Sequence, residues 1–148
     1  MSDPLLECMA LFMNKKDYGL WMLLKSKIHN CAERVEFKER DIFWISVGEN
    51  IGFEEDGKNT LFNRPVLVIR KFNKFLFWGV PLSTTDKRGK YYHAFIVAGK
   101  TSVALLSQTR TFDSSRITST KLGMISKEDF KHIKEKLSAV LLGKFVGP

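Results

Sequence analysis

Pro65-Val-Leu-Val-Ile69 and Phe75-Leu-Phe-Trp-Gly-Val-Pro-Leu82 are two β-branched and aromatic runs with Asn73-Lys74 between them. Such residues fit a pleated surface packed on its neighbours, and a short polar pair between two such runs reads as a hairpin turn. Working outward, Ile42-Phe-Trp-Ile-Ser-Val47 is a further strand. Residues 91–97 and 102–106 are two more, with a turn at Gly99-Lys100. Trp44 and Trp78 lie inside strands and are read as core. The segment 48–63 (GENIGFEEDGKNTLFN) has three glycines and a carboxylate cluster, so it reads as a long loop. Residues 83–90 (STTDKRGK) form a second, polar loop. Short strands with hairpin-like spacing predict a small curled antiparallel barrel.

Two helices flank these strands. Residues 17–29 (DYGLWMLLKSKIH) place apolar side chains at 20, 21, 23, 24 and 28. That spacing predicts a short amphipathic helix laid along the barrel. Ser126-Lys-Glu-Asp129 is a capping-box variant, and Ile125 before it is placed to staple onto the first turn. Phe130, Ile133, Leu137, Val140 and Leu141 then form one helical face through Leu142.

The chain has 148 residues, enough for one core and too few for two comfortable domains. Its 44% apolar content is that of a globular protein. No apolar run reaches the roughly 18–20 residues that span a bilayer. The opening MSDPLLECMALFMN lacks a basic region ahead of its apolar residues, which argues against a secretory signal and for a cytoplasmic protein. Cys8 and Cys31 lack the spacing of a metal site, so free thiols are expected. His29, His93 and His132 are scattered along the chain without metal-ligand spacing, and no metal site is expected.

Charge is unevenly spread. Residues 1–56 carry 7 Lys/Arg and 11 Asp/Glu, a net of −4, while residues 57–148 carry 17 and 5, a net of +12. The basic segment favours a polyanionic partner, nucleic acid or an acidic protein.

Three stretches stand in order: Arg40-Asp41-Ile-Phe-Trp-Ile45 with Gly52-Phe-Glu-Glu-Asp-Gly57 and Arg64-Pro-Val-Leu-Val-Ile69, then Val80-Pro-Leu-Ser-Thr84, then Ser107-Gln-Thr-Arg-Thr-Phe-Asp113 with Ser115-Arg-Ile117 and Gly123. Together they resemble the PemK/MazF family of toxins. The resemblance covers residues 40–142, leaving 1–39 as an extension with a short helix and 143–148 as a tail. It implies an SH3-like barrel that works as a homodimer and cuts single-stranded RNA at short sequence motifs without metal or other cofactor. It further implies a 2′,3′-cyclic phosphate product, a cognate antitoxin protein, and DNA binding in complex with that antitoxin.

Cleaving RNA through its own 2′-hydroxyl requires a base for that proton, donors for a doubly charged phosphorane, and an acid for the 5′-oxygen. Arg64 matches the family's catalytic arginine. Its fixed donors suit a phosphorane and its high pKa makes it a poor base, so it is assigned to clamping the transition state, with proton donation as a further option. Ser83 matches the catalytic threonine or serine and is placed to bond the scissile phosphate, with Thr84 as the neighbouring candidate. Gln108 is a candidate for reading a base edge or holding a phosphate. Arg110 is set down as an RNA contact, or as one half of a structural pair with Asp113. His93 stands where some relatives place a histidine and is a candidate base, against the simpler reading of a structural residue in a strand. Lys87, Arg88 and Lys90 are candidates for tracking the RNA backbone, with Tyr91 or Tyr92 as a stacking face, or else form a solvated loop tip. Ser107 departs from the family pattern, which often has an acid there. Two alternatives share the fold: a non-catalytic toxin that binds DNA gyrase, and a degenerate RNA-binding module.

Overall fold

The computed structural model describes residues 3–6, 16–31 and 33–144. Cys8, much of the opening segment and most of the expected tail lie outside them, and Cys31 is an exposed free thiol. Seven strands, β1 (Asp41–Ser46), β2 (Asn63–Lys71), β3 (Leu76–Ser83), β4 (Tyr92–Val97), β5 (Lys100–Leu105), β6 (Arg110–Asp113) and β7 (Ile117–Met124), lie between helices α1 (Tyr18–His29) and α2 (Lys127–Leu142). The strands form one antiparallel sheet in the order β4-β5-β3-β2-β1-β7, with β6 also on β3. The sheet curls until its ends meet by packing: a Cβ added at Gly123 on β7 would lie 2.7 Å from Val97 of β4. The expected barrel is thus a half-open one.

The Val-Leu-Val-Ile run of β2 shows no alternation because both its faces are covered. Leu67 and Ile69 join Ile42, Val80, Leu82, Phe95, Ile125, Phe130 and Ile133 in a core that includes α2. Val66 and Val68 join Phe37, Phe43, Ile45, Phe77 and Phe112 on the opposite side. The capping box forms as expected, with the Ser126 hydroxyl accepting from the Asp129 N–H at 3.0 Å, and Ile125 and Phe130 share one core cluster.

β3 changes partner along one edge. Residues 76–79 pair with β6, whereas Leu82 and Ser83 pair with β5. Pro81 falls in the gap between the two pairings, where its missing N–H removes no ladder bond on that side.

Four expectations need correction. The β4–β5 turn is Ala98-Gly99, one residue early, with both φ angles positive (50° and 74°), the mirror-image turn that suits strand twist. The sequence shows no strand between residue 106 and the Ser126 cap, where the structure has β6 and β7. Trp78 is 47% exposed rather than core, edge-on to Phe72 and donating to the Thr111 hydroxyl at 3.1 Å. Finally, α1 does not lay its whole apolar face on the barrel. Trp21 is buried, but Leu20 and Leu23 remain 58% and 64% exposed.

Candidate functional site

The segment between β1 and β2 is fastened from three directions. Inside it, the Asn50 N–H donates to the Asp56 carboxylate at 2.6 Å, and the Asn50 side-chain amide donates to the Glu55 carbonyl at 2.7 Å. From the extension, the Lys16 ammonium pairs with Asp56 at 2.8 Å and donates to the Asn50 carbonyl, which also accepts from the Tyr18 hydroxyl. Trp21 lies against Gly48, whose φ of 97° and missing side chain let the indole approach: a Cβ there would sit 2.4 Å from the ring. From beyond β5, Gln108 accepts from the Glu55 N–H and donates to the Phe53 carbonyl, each at 3.1 Å. Gln108 therefore acts first on this loop.

Arg64 enters β2 directly after the loop. Its Nε donates to the Asp56 carbonyl at 2.9 Å, Nη1 to the Leu82 carbonyl at 3.0 Å, and Nη2 pairs with Glu55 at 2.5 Å. Since Leu82 precedes Ser83, the guanidinium is anchored at the C-terminal end of β3 beside the two hydroxyl candidates. The Ser83 hydroxyl accepts from the Thr85 N–H at 3.1 Å, and Thr84 is exposed. A cavity of about 510 Å³ opens next to this point, lined among others by Glu54, Glu55, Pro81, Ser107, Gln108 and Arg110.

Glu55 is the residue that the sequence reading missed. It stood within the quoted Gly52–Gly57 stretch, but nothing in a run of three acids marks which one meets the arginine. In the structure Glu55 supplies a carboxylate at the site, whereas Ser107, exposed at the cavity, does not.

The remaining candidates are placed elsewhere. Arg110 stacks over Phe112 at 4.8 Å, and burial pushes its pKa down against the opposing charge of Glu54. It does not form the expected pair with Asp113, because three steps along a strand put the two on opposite faces. The cation on Asp113 is Arg34. Burial works against the Asp113 charge, but the Ser115 hydroxyl and N–H together with Arg34 outweigh it and hold its pKa below the ordinary value. Lys87 lies over Tyr92, Lys90 over Tyr91, and Arg88 faces Asp86, all around the 84–90 loop.

His93 points to the α2 side of β4. Its Nε2 meets Asp129 Oδ1 at 2.9 Å, and its ring lies 6.1 Å from that of His132. Burial opposes the Asp129 charge too, but hydrogen bonds from His93 and Ser126 and the nearby histidines leave its pKa lowered. The expectation of no metal constellation is corrected here: residues far apart in sequence bring two imidazoles and a carboxylate within 4.8 Å of one another.

A family model described as PemK-like, MazF-like toxin of type II toxin-antitoxin system matches residues 38–141. No curated protein matches the sequence. Among solved structures, MazF from Deinococcus radiodurans is similar at TM-score 0.58 and 18% identity, covering 74% of this chain and 98% of that one. An endoribonuclease from a mycobacterial species gives 0.54 and 14%, covering 77% and 98%. A mycobacterial endoribonuclease solved with its cognate antitoxin gives 0.53 and 15%, covering 74% and 97%. At these identities the likeness is one of fold. Among the described residues no helix is long and apolar enough to cross a membrane.

Proposed function

Because the chain belongs to the PemK-like, MazF-like toxins of type II toxin-antitoxin systems, we propose that it is a sequence-selective endoribonuclease that cuts single-stranded RNA without a metal ion. The observation that carries this reading is the bonding of Arg64 to both Glu55 and the Leu82 carbonyl, beside Ser83. In one place there are a permanent multi-donor cation, a hydroxyl and a carboxylate.

The roles follow from chemistry. The substrate 2′-oxygen attacks phosphorus and the bond to the 5′-oxygen breaks, giving a 2′,3′-cyclic phosphate and a 5′-hydroxyl. Arg64 meets the charge that builds on the phosphoryl oxygens, and Ser83 adds a neutral hydrogen bond. Incoming phosphate competes with Glu55 for the arginine, and the released carboxylate takes the 2′ proton. Water or the guanidinium returns a proton to the 5′-oxygen. Gln108 holds the loop that carries Glu55, and Lys87, Arg88, Lys90 and Arg110 contact the RNA backbone. The solved relative with its cognate antitoxin supports an antitoxin partner here, and the +12 segment favours an acidic one. A homodimer lengthens the groove beyond what one small barrel offers.

The test is cleavage of a short single-stranded RNA in excess EDTA, with analysis of the new ends. A 2′,3′-cyclic phosphate supports the reading. Absence of cleavage in EDTA with recovery in magnesium refutes it, and gyrase inhibition without RNA cleavage selects the non-catalytic alternative.

A further inference from the structure

Along β4 the inward positions alternate with outward ones. Phe95 and Val97 are buried while Ala94 and Ile96 are exposed, which sends His93 inward toward α2. On α2, Asp129 and His132 are three residues apart and so share one face of the first turns. Strand and helix thus converge two imidazoles and one carboxylate, although 36 residues separate His93 from Asp129 in the chain.

We infer that His93, Asp129 and His132 form a binding site for a divalent transition-metal ion of the zinc type, which fastens the start of α2 to β4. The donor atoms all lie within 4.8 Å of one another, and His93 and Asp129 are already at 2.9 Å. Donors around a tetrahedral zinc with bonds of about 2.0–2.1 Å stand roughly 3.3 Å apart. Closing the set therefore needs only a modest turn of His132, which is exposed and free to make it.

Two further contacts pre-orient the ligands. The Ser126 hydroxyl donates to Asp129 Oδ2 at 3.0 Å, leaving Oδ1 for the ion. Phe95 stacks on the His93 ring at 6.5 Å between centroids. Hydrogen bonding of a ligating carboxylate by an outer group is how such sites fix geometry. The N, N, O donor set favours zinc, nickel or cobalt over magnesium or calcium, which take oxygen ligands. With three protein ligands, water completes the coordination. The positive end of α2, and Lys136 bound to the Tyr92 carbonyl at 2.9 Å, keep the affinity below that of a four-ligand structural site. The proposed site faces the α2 side of the sheet with Phe95, whereas Arg64 alternates in register with Val66 and Val68 on the other side.

The test uses the full chain carrying Cys8→Ser and Cys31→Ser, so that thiols do not compete. Zinc chloride is titrated by calorimetry, and cobalt chloride by visible absorption. One ion per chain, a tetrahedral cobalt spectrum and a zinc-dependent rise in melting temperature are expected. His132→Ala, at an exposed position, should keep the fold and weaken zinc at least about 10-fold. His29→Ala on α1 should change nothing. Binding of equal strength by the parent and His132→Ala, or no saturable binding at one ion per chain, overturns the inference. Neither result depends on RNA cleavage.

Discussion

All three nitrogens of the Arg64 guanidinium are engaged before any substrate arrives: two by carbonyls and one by Glu55. That preorganisation argues for an order of effects. Arg64→Ala should leave cleavage nearly undetectable, because it removes the permanent cation and unfastens the loop. Arg64→Lys should not rescue it, since a point charge cannot hold three acceptors. Ser83→Ala and Glu55→Gln should each slow single-turnover cleavage about 100- to 1000-fold, and His93→Gln should leave the rate near that of the parent. A full-speed Arg64→Ala would remove the site from this place. Asp113 offers a second test at this scale. Its pKa is lowered in the fold, so its contribution to stability is present above the unfolded value of about 3.9 and is lost as pH falls through the folded one. The gap in melting temperature between the parent and Asp113→Asn should be widest near neutrality and close in the acid range. Arg64 and Ser83 were legible from motif, but Glu55 and the histidine cluster were not. Motif spacing carries information along the chain, whereas those contacts are made across it.

Among the elements, β2 and β3 announce themselves through their central runs, Val66–Ile69 and Gly79–Leu82, which are apolar and buried on both faces. β7 is an edge strand with only Ile117 buried, and Ile117-Thr-Ser-Thr-Lys-Leu-Gly-Met124 accordingly shows no apolar alternation to read. β6 has four residues and one buried side chain, too short for a period to show. The helix α1 misled in the other direction: its apolar spacing is genuine, yet the packing is carried by Trp21 at one end. That arrangement ties the extension to the loop that holds Arg64. Trp21→Ala should cost about 3 kcal/mol in stability. Through Gly48 it should also loosen the loop and lower the cleavage rate. Deleting residues 1–30 should do both while leaving the cut motif unchanged, as read by sequencing the 5′ ends of cleaved RNA. A changed motif would mean that the extension itself reads RNA.

For the whole molecule, the divided charge and the proposed dimer meet in one measurement. Sedimentation of the active protein should give twice the mass of the 17.0 kDa chain, and added antitoxin should stop cleavage as it binds. A monomer with full activity would rule out the dimer. The curled antiparallel sheet was legible because strand runs and capping signals are local; the order of its strands was not, since it depends on pairings such as β1 with β7 that join distant stretches. The partner change along β3 has a consequence for the birth of the protein. Ser83 and the strand that carries it are synthesised early, but one edge of β3 stays unpaired until β5 and β6 have emerged, and β1 must wait longer still for β7. A polypeptide growing from its N-terminus cannot assemble the Arg64 centre piecemeal. Chains released short of residue 117 should be inert and prone to proteolysis, so the proposed nuclease should reach the cell in working form only when translation of its message is almost complete.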